Sequence, residues 1–291
     1  MNRCPRARET RRHEGPHIAK LKLEQTATAL PFLFNGGHDA IARRRKNLEP
    51  IKLGHSTMLE TARLSPGTNP TYLVPLPPNF LESLHQIRSD EIVIPAGVQF
   101  VAEGSQGKHV YLMRSGLGLR ANLLQDGRRQ VVSFLFPGDI VGLQALLIGQ
   151  YHHSAEARSD VVASVIDHKH LRALWKDRFE AVVLSLQAMA YEEVRLTKAM
   201  IAIGQYSAEE AVASLLFTLY SRGQTHGMLR DNSMAFPFRQ TDLADALGLS
   251  LVHTNKTIAK LRRAGHVELV DGRLTLHDPD SLARAYMLEV A

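Results

Sequence analysis

The chain has 291 residues, of which 44% are hydrophobic and 22% charged, a composition typical of a globular protein large enough for two cores. No apolar run approaches the roughly 20 residues that a membrane-spanning helix needs, and no secretory-signal pattern is present. We therefore expect a cytoplasmic protein that does not enter a membrane. Cys4 is the single cysteine, which excludes an internal disulfide and a cysteine-ligated cluster.

The N-terminal part of the chain carries the excess of positive charge. Residues 1–52 contain twelve Lys/Arg against five Asp/Glu, or +7, whereas the other 23 Lys/Arg and 24 Asp/Glu contribute −1 to the net charge of +6. Poor hydrophobic periodicity predicts a flexible basic extension over residues 1–75. The extension either contacts nucleic-acid phosphates, or is dispensable, or is absent from the native protein because translation begins at Met58. We favour the last two interpretations.

Short alternating segments punctuated by glycine or proline follow, between residues 76 and 170. Glu91–Gly97, Val110–Gly116 and Gln130–Pro137 have the pattern of strands, and Asp126-Gly127 is a tight-turn pair. No long helix fits this stretch. The pattern predicts a compact antiparallel barrel or roll.

Residues 171–205 have a helical pattern with more than one apolar side. One apolar line includes Ala181, Ala188 and Ala202. The predicted dimer seam consists of Leu184, Leu186, Ala190, Val194, Thr197 and Ile201. We expect a long helix that meets its own copy in a homodimer, and the alternative is a helix buried within one subunit. Ser207 and Glu210 then form a capping box that opens the next helix.

The most specific pattern lies in the last segment, residues 206–291. A short helix leads to a turn at Gly248, where glycine adopts positive φ at little cost. Ser250 caps a second helix, and Asp271-Gly272 marks a β-hairpin. The inward stripe of the second helix contains Thr254, Ile258 and Leu261. This order predicts a winged helix-turn-helix, whose second helix can enter a DNA major groove.

The order of a β-roll, a long helix and a winged helix-turn-helix resembles the Crp/Fnr family of bacterial transcription regulators. The resemblance begins at Phe80 and is carried by Pro95–Gly97, Glu103-Gly104, Ser115-Gly116, Asp126-Gly127, Phe136–Gly142, Ser207–Glu210 and Gly248–Ser250. It implies an α+β chain. The elements would be an antiparallel β-roll of the cyclic-nucleotide-binding type (a double-stranded β-helix) at 76–170, a dimerisation helix at 171–205 and a winged helix-turn-helix at 206–291.

The resemblance also implies an effector pocket in the β-roll. It places this pocket at Gly142, Leu143, Gln144, His153 and Ser154. Members that bind cyclic nucleotides carry a glutamate and an arginine where this chain has Leu143 and His153. Leucine cannot accept the ribose hydrogen bond and histidine lacks the guanidinium fork, which argues against cyclic AMP. Cys4 alone cannot hold an iron–sulfur cluster, and no histidine is singled out as a haem ligand, so no cofactor is evident.

The DNA contacts follow from the same resemblance. Base edges would be read by Leu251, Val252, His253, Asn255 and Lys256, and phosphates by Gln240, Thr241, Ser250 and Lys260. Asn255 can bond adenine through N6 and N7, and Lys256 can reach guanine. Leu251 and Val252 stand where the family commonly has an Arg-Glu pair, and either could meet a thymine methyl group. Residues 239–273 carry six Lys/Arg against four Asp/Glu, which predicts moderate salt dependence.

The sequence therefore predicts a homodimeric transcription regulator that binds a palindromic operator in double-stranded DNA and contacts RNA polymerase. Its β-roll would sense an unidentified small molecule or serve as a scaffold. One alternative is an effector-binding module whose helix-turn-helix contacts protein. The other is an enzyme, which is disfavoured because paired carboxylates, metal-ligand spacing and a nucleophile–base set are all missing, and no catalytic or metal-binding residue is assigned.

Overall fold

The computed structural model describes residues 76–288, which form three antiparallel sheets and eight helices. The strands are β1 (Asp90–Ile94), β2 (Gln99–Val101), β3 (His109–Ser115), β4 (Gly118–Leu123), β5 (Arg129–Leu135), β6 (Ile140–Val141), β7 (Ser154–Ala157), β8 (Val161–Asp167), β9 (Ser233–Ala235), β10 (Val267–Val270) and β11 (Arg273–Leu276). The helices are α1 (Pro78–Gln86), α2 (Leu143–Ile148), α3 (His168–Asp177), α4 (Phe179–Gln205), α5 (Ala208–Thr225), α6 (Gln240–Leu247), α7 (Leu251–Arg263) and α8 (Pro279–Ala285). Among these residues, no helix combines the length and apolar character needed to cross a membrane. The predicted basic extension at 1–75, with Cys4, lies outside the described residues.

Two four-stranded sheets build the roll, in the strand orders β1-β8-β3-β6 and β2-β7-β4-β5. Their inward-facing apolar side chains, including Leu112, Leu135 and Ile166, are fully buried. The β4–β5 hairpin turns where the sequence predicts it, and Gly127 there has φ of 84°, a conformation that favours glycine. The predicted antiparallel roll is confirmed.

Two short helices interrupt the stretch that the alternation predicts as strands. Pro78 begins α1, where its fixed φ suits the first turn, and Phe80 and Leu84 lie one turn apart on the buried side. Helix α2 follows Gly142 directly. Both helices are too short to produce a clear periodic signal in the sequence.

Residues 171–205, predicted as one helix, belong to two. Arg178 has an extended backbone (φ −132°, ψ 103°), which ends α3 and starts α4, since no α-helix continues through that conformation. The side chains still join the two helices, because Trp175 Nε1 donates to Ser185 Oγ at 3.0 Å. Helix α4 is 27 residues long and connects α3 to α5.

Helix α5 connects the winged helix-turn-helix to the rest of the chain. It opens with the predicted capping box, in which Ser207 Oγ accepts from the Glu210 N–H and the Glu210 carboxylate accepts from the Ser207 N–H. Its apolar side, including Leu216, packs in one core with Leu243 of α6 and Phe134 of β5. One apolar core therefore joins the DNA-binding unit to the roll.

Candidate nucleic-acid interface and effector cavity

The helix-turn-helix forms at the predicted positions. Helix α6 ends at Gly248, whose φ of 64° is left-handed and whose N–H donates to the Ala244 carbonyl. Ser250 Oγ then accepts the His253 N–H at 3.2 Å and opens α7. Because both ends of the turn are closed by local hydrogen bonds, the turn fixes the angle between the two helices.

Helix α7 has a buried side and an uncovered side. The buried side chains are Thr254, Thr257, Ile258 and Leu261. The exposed side chains are Leu251, Val252, His253, Asn255 and Lys256. All five side chains that the sequence predicts as base readers are therefore accessible to a large partner.

The wing is a β-hairpin with a two-residue turn, and it lies beside α7. Val270 pairs with Arg273 across the turn, and Asp271 (φ 50°) and Gly272 (φ 67°) are both left-handed, as a type I′ turn requires. Strand β9 adds a third strand to this sheet through β11. The hairpin predicted from Asp271-Gly272 is present.

The candidate phosphate contacts lie at helix N-termini, with one exception. Gln240 and Thr241 are exposed in the first turn of α6, and Ser250 is exposed just before α7. Free backbone N–H groups at these positions suit a phosphate oxygen. Lys260 instead pairs closely with Glu209 of α5, so a phosphate contact would require Lys260 to leave that carboxylate.

A buried ion cluster, absent from the sequence predictions, joins α6 to the roll. Asp242 is 0% exposed and accepts from Arg158 at 2.7 and 2.9 Å, from Arg129 at 2.5 Å and from the Arg239 N–H at 2.8 Å. Arg129 also holds Asp245 at 2.8 Å. Burial would raise the pKa of Asp242, but the hydrogen bonds and charge of Arg158, with the other donors, outweigh it and lower that pKa.

A cavity of about 880 Å³ lies among the roll, α4, α5 and α6. Leu143, Gln144 and His153, three of the five predicted pocket residues, line it. The structure places the other two outside the lining. Gly142 makes a left-handed turn (φ 98°) into α2, and Ser154 Oγ accepts a backbone N–H of the loop after β2 at 3.2 Å.

Charged side chains that the sequence analysis missed also meet across the cavity. Arg120 of β4 is buried and pairs with Glu192 of α4, which pairs in turn with Arg195. Asp139 accepts from Arg222 of α5 at 2.7 Å. Burial lowers the pKa of Arg195 to about 10, so this guanidinium keeps its charge at neutral pH. These pairs link the roll to both long helices.

His153 is neutral at neutral pH in this cavity. Burial, reinforced by the nearby His152, lowers the pKa of His153 to about 4. Gln144 Nε2 lies 3.1 Å from His153 Nδ1, which suits donation to a neutral ring. The pair therefore offers no positive charge where cyclic-nucleotide-binding members have an arginine.

The neutral state of His153 predicts a pH-dependent stability. Between pH 6.5 and about 4 the unfolded chain binds a proton on this ring and the folded chain does not, so stability is lost as the pH falls. His153→Gln should reduce the loss between pH 6.5 and 4.5 by about 2 kcal/mol. Urea unfolding at the two pH values measures this loss of stability. His277→Gln, at an exposed histidine, is the control for histidine removal. Equal losses in wild type and His153→Gln would contradict the prediction.

The rest of the subunit covers one apolar side of α4 and leaves the other exposed. Ala181, Ala188 and Ala202 are buried against the chain's own core. Of the predicted seam, Leu186, Ala190, Thr197 and Ile201 are exposed, whereas Leu184 and Val194 are half-buried. Leu184 packs on the apolar cluster of α1, α3 and the roll. Burial within the subunit thus explains why Ala181, Ala188 and Ala202 are apolar. It does not explain the exposed residues of the predicted seam.

Within the described part of the chain, no group of three or more His, Cys, Asp or Glu side chains could hold a metal ion. The geometry defines a class of protein: a β-roll with a cavity, joined through a long helix to a winged helix-turn-helix with an uncovered second helix. That class is a DNA-binding regulator.

Comparison with known proteins agrees with this class. Residues 91–178 match the family described as cyclic nucleotide-binding domain, and residues 210–285 match the Crp-like helix-turn-helix domain. The transcriptional activatory protein AadR of Rhodopseudomonas palustris is 30% identical over 190 residues, covering 63% of this chain and 77% of AadR. The nitrogen fixation regulation protein FixK of Azorhizobium caulinodans is 27% identical over 241 residues, covering 77% of this chain and 96% of FixK.

A solved structure, that of FixK2 from Bradyrhizobium japonicum, shares the fold with a TM-score of 0.62 at 24% identity, covering 69% of this chain and 98% of FixK2. The chain belongs to the Crp/Fnr family of transcription regulators and carries the helix-turn-helix DNA-binding domain of that family.

Proposed function

We propose that the chain acts as a homodimer that lays its two α7 helices in successive major grooves of a palindromic operator. The observation that carries this proposal is the uncovered side of α7, where Asn255 and Lys256 are exposed beside Leu251 and Val252. The opposite side of the same helix is buried, so the helix can present only this face. Two-fold symmetry would place the half-sites about one helical turn apart, roughly 34 Å.

The open side of α4 supports the homodimer. Leu186 is 56% exposed and Phe179 78% exposed in the isolated subunit, and exposed apolar residues recur along the same helix as far as Ile203. A second copy of α4 would cover these side chains by the knobs-into-holes packing of paired helices. We also infer a cytoplasmic location and a contact with RNA polymerase, because an operator-bound regulator meets both its DNA and the transcribing enzyme there.

The exposed side chains of α7 suggest a division of roles at the DNA. Asn255 would bond adenine through N6 and N7, and Lys256 would reach guanine or a phosphate. Leu251 and Val252 are suited to a thymine methyl group, and His253 to a base edge or phosphate at the side of the groove. Gln240, Thr241 and Ser250 would position the subunit on the backbone through helix N-termini.

Replacing Asn255 with alanine is expected to weaken binding to the preferred operator by about 1–3 kcal/mol and to relax preference at one base pair of each half-site. The loss arises because alanine offers no donor or acceptor to the adenine edge. Selection of bound duplexes from random DNA, with and without cell-extract metabolites, would identify the operator first. Band-shift titrations of wild type and variant on operator and scrambled duplexes then measure the change.

Asn79→Ala, an exposed asparagine on α1, is the matched control and should bind like wild type. Equal affinity of wild type for operator and scrambled duplexes would contradict the proposal. A chain that retains a protein partner but no duplex would favour the alternative function, in which the helix-turn-helix contacts protein.

We infer that the cavity of the roll senses a small molecule other than cyclic AMP. Leu143 lines this cavity with an apolar side chain and His153 is neutral, so the two positions at which the family holds the ribose and the phosphate carry neither an acceptor nor a positive charge. The cavity also touches Ala246 and Leu247 of α6, so an occupant would contact the helix-turn-helix directly. The relatives are named as regulators, and we infer a regulatory and not a catalytic role for this cavity.

A further inference from the structure

The buried guanidinium of Arg120 distinguishes this cavity from a purely apolar one. Arg120 is 6% exposed and lines the cavity, and its Nε–H has no hydrogen-bond partner among the described residues. We propose that the cavity binds an apolar organic carboxylate whose acid group is held by Arg120. This inference rests on the proposed effector role of the cavity and names the chemical class of its ligand.

The charge of the cavity favours an anion. The lining contains five basic and three acidic side chains, namely Arg114, Arg120, Arg195, Lys198 and Arg222 against Asp139, Glu192 and Glu193. With neutral histidines the balance is +2, and Arg120, which is buried, interacts more strongly with a charge than a group at the surface does. An anionic ligand would reduce this excess, whereas a cation would increase it.

The walls between these charges are apolar. They include Leu112, Val131, Ile140, Leu143, Leu196 and Leu215. At about 880 Å³ the cavity is within the range of about 300–1,000 Å³ that small-molecule sites occupy. Apolar walls around a buried guanidinium suit a ligand with a hydrocarbon body and a single acid group.

Arg120 can exchange its partner without leaving a buried carboxylate unpaired. Glu192 is the one carboxylate that pairs with Arg120 in the described part of the chain, and Glu192 also pairs with Arg195. A ligand carboxylate could therefore replace Glu192 at the guanidinium fork while Glu192 keeps Arg195. Because Arg120 belongs to β4 and Glu192 to α4, the exchange would release a link between the roll and the long helix.

Arg195 and Arg222 also line the cavity but are held by Glu192 and Asp139, so Arg120 offers the guanidinium that a ligand can take. One guanidinium favours a carboxylate over a phosphate monoester. The fork matches two carboxylate oxygens in one plane, whereas a phosphate dianion presents three oxygens and needs further donors. His153 and Gln144, the polar groups nearby, are neutral and bond each other. The preference among headgroups is therefore a direct test.

The experiment uses the full chain without DNA and three probes with the same hydrocarbon body: octanoate, 1-octanol and octyl phosphate. Calorimetric titration should show octanoate binding at least tenfold more tightly than either other probe. Arg120→Gln should remove the preference for octanoate and leave the affinity for 1-octanol unchanged. Arg128→Gln, which removes the same charge at an exposed site on the β4–β5 hairpin, should keep the preference.

A second variant keeps the inference testable if Arg120→Gln fails to fold. Glu192→Gln removes the competitor for the guanidinium and should tighten octanoate binding severalfold. Equal affinity for octanoate and 1-octanol, tighter binding of octyl phosphate, or an unchanged preference in Arg120→Gln would overturn the inference. Band shifts run in parallel test the operator separately, so loss of DNA binding and loss of the carboxylate site are distinguishable.

Discussion

Replacing Asp242 with asparagine is expected to lower the free energy of unfolding by about 3 kcal/mol. The carboxylate is 0% exposed and bonds two arginines, Arg158 and Arg129, from different parts of the roll. An amide at this position would turn an N–H group toward one of these guanidinium groups and remove the negative charge that compensates them. Breaking a buried ion pair by removing one partner costs far more than losing a pair at the surface.

Asp245→Asn is the matched control on the same helix. Asp245 is 31% exposed and, among residues 76–288, has Arg129 as its one ion partner, so its loss should cost less than about 1 kcal/mol. Urea unfolding followed by circular dichroism measures both variants. Similar small losses in the two variants would show that the cluster does not hold α6 against the roll.

The Asp242 variant should also loosen the helix-turn-helix, because the same carboxylate accepts the Arg239 N–H at the start of α6. We expect faster amide hydrogen exchange in α6 than in the wild type, with the β1–β8 pair as an internal reference. Unchanged exchange in α6 would contradict this part of the prediction.

Introducing a glutamate at Leu186 is expected to dissociate the proposed dimer and with it the proposed complex with a palindromic operator. In a symmetric pair the two Leu186 positions lie in one interface, so the substitution would bury two like charges in place of two apolar side chains. We expect the dimer dissociation constant to rise at least roughly 100-fold, which corresponds to about 3 kcal/mol. Operator affinity should fall with it, because in the proposed complex each subunit would read one half-site.

Analytical ultracentrifugation measures the oligomeric state, and band shifts measure operator binding at the same concentrations. Leu123→Glu makes the same change at a residue that is 67% exposed, at the end of β4, and should leave both unchanged. If the Leu186→Glu chain remains dimeric, the exposed side of α4 does not form the dimer interface.

Some of the DNA-binding unit follows from short stretches of sequence. Gly248 and Ser250 place the turn between α6 and α7, and Asp271-Gly272 places the wing, as predicted. The capping box of Ser207 and Glu210 is also found as predicted. Each of these signals involves residues no more than four positions apart, so the chain does not need its tertiary structure to define them.

The cavity and the ion cluster could not be found in this way. Arg158 and Asp242 are 84 positions apart, and Arg129 and Asp242 are 113 apart. A charged residue in the sequence predicts an exposed side chain by default, because burial of an unpaired charge is costly. Arg120 and Glu192 become a buried pair only when β4 and α4 pack together.

The sequence by itself determined the order of the roll, the long helix and the winged helix-turn-helix, the exposed α7 residues, and the two apolar lines of α4. These depend on hydrogen bonds and side-chain periodicities within a few turns of chain. Only the tertiary structure decided which line of α4 faces its own core, which charges are buried around Asp242 and Arg120, and that His153 is neutral. Those properties depend on solvent exclusion by distant segments, which no local pattern encodes.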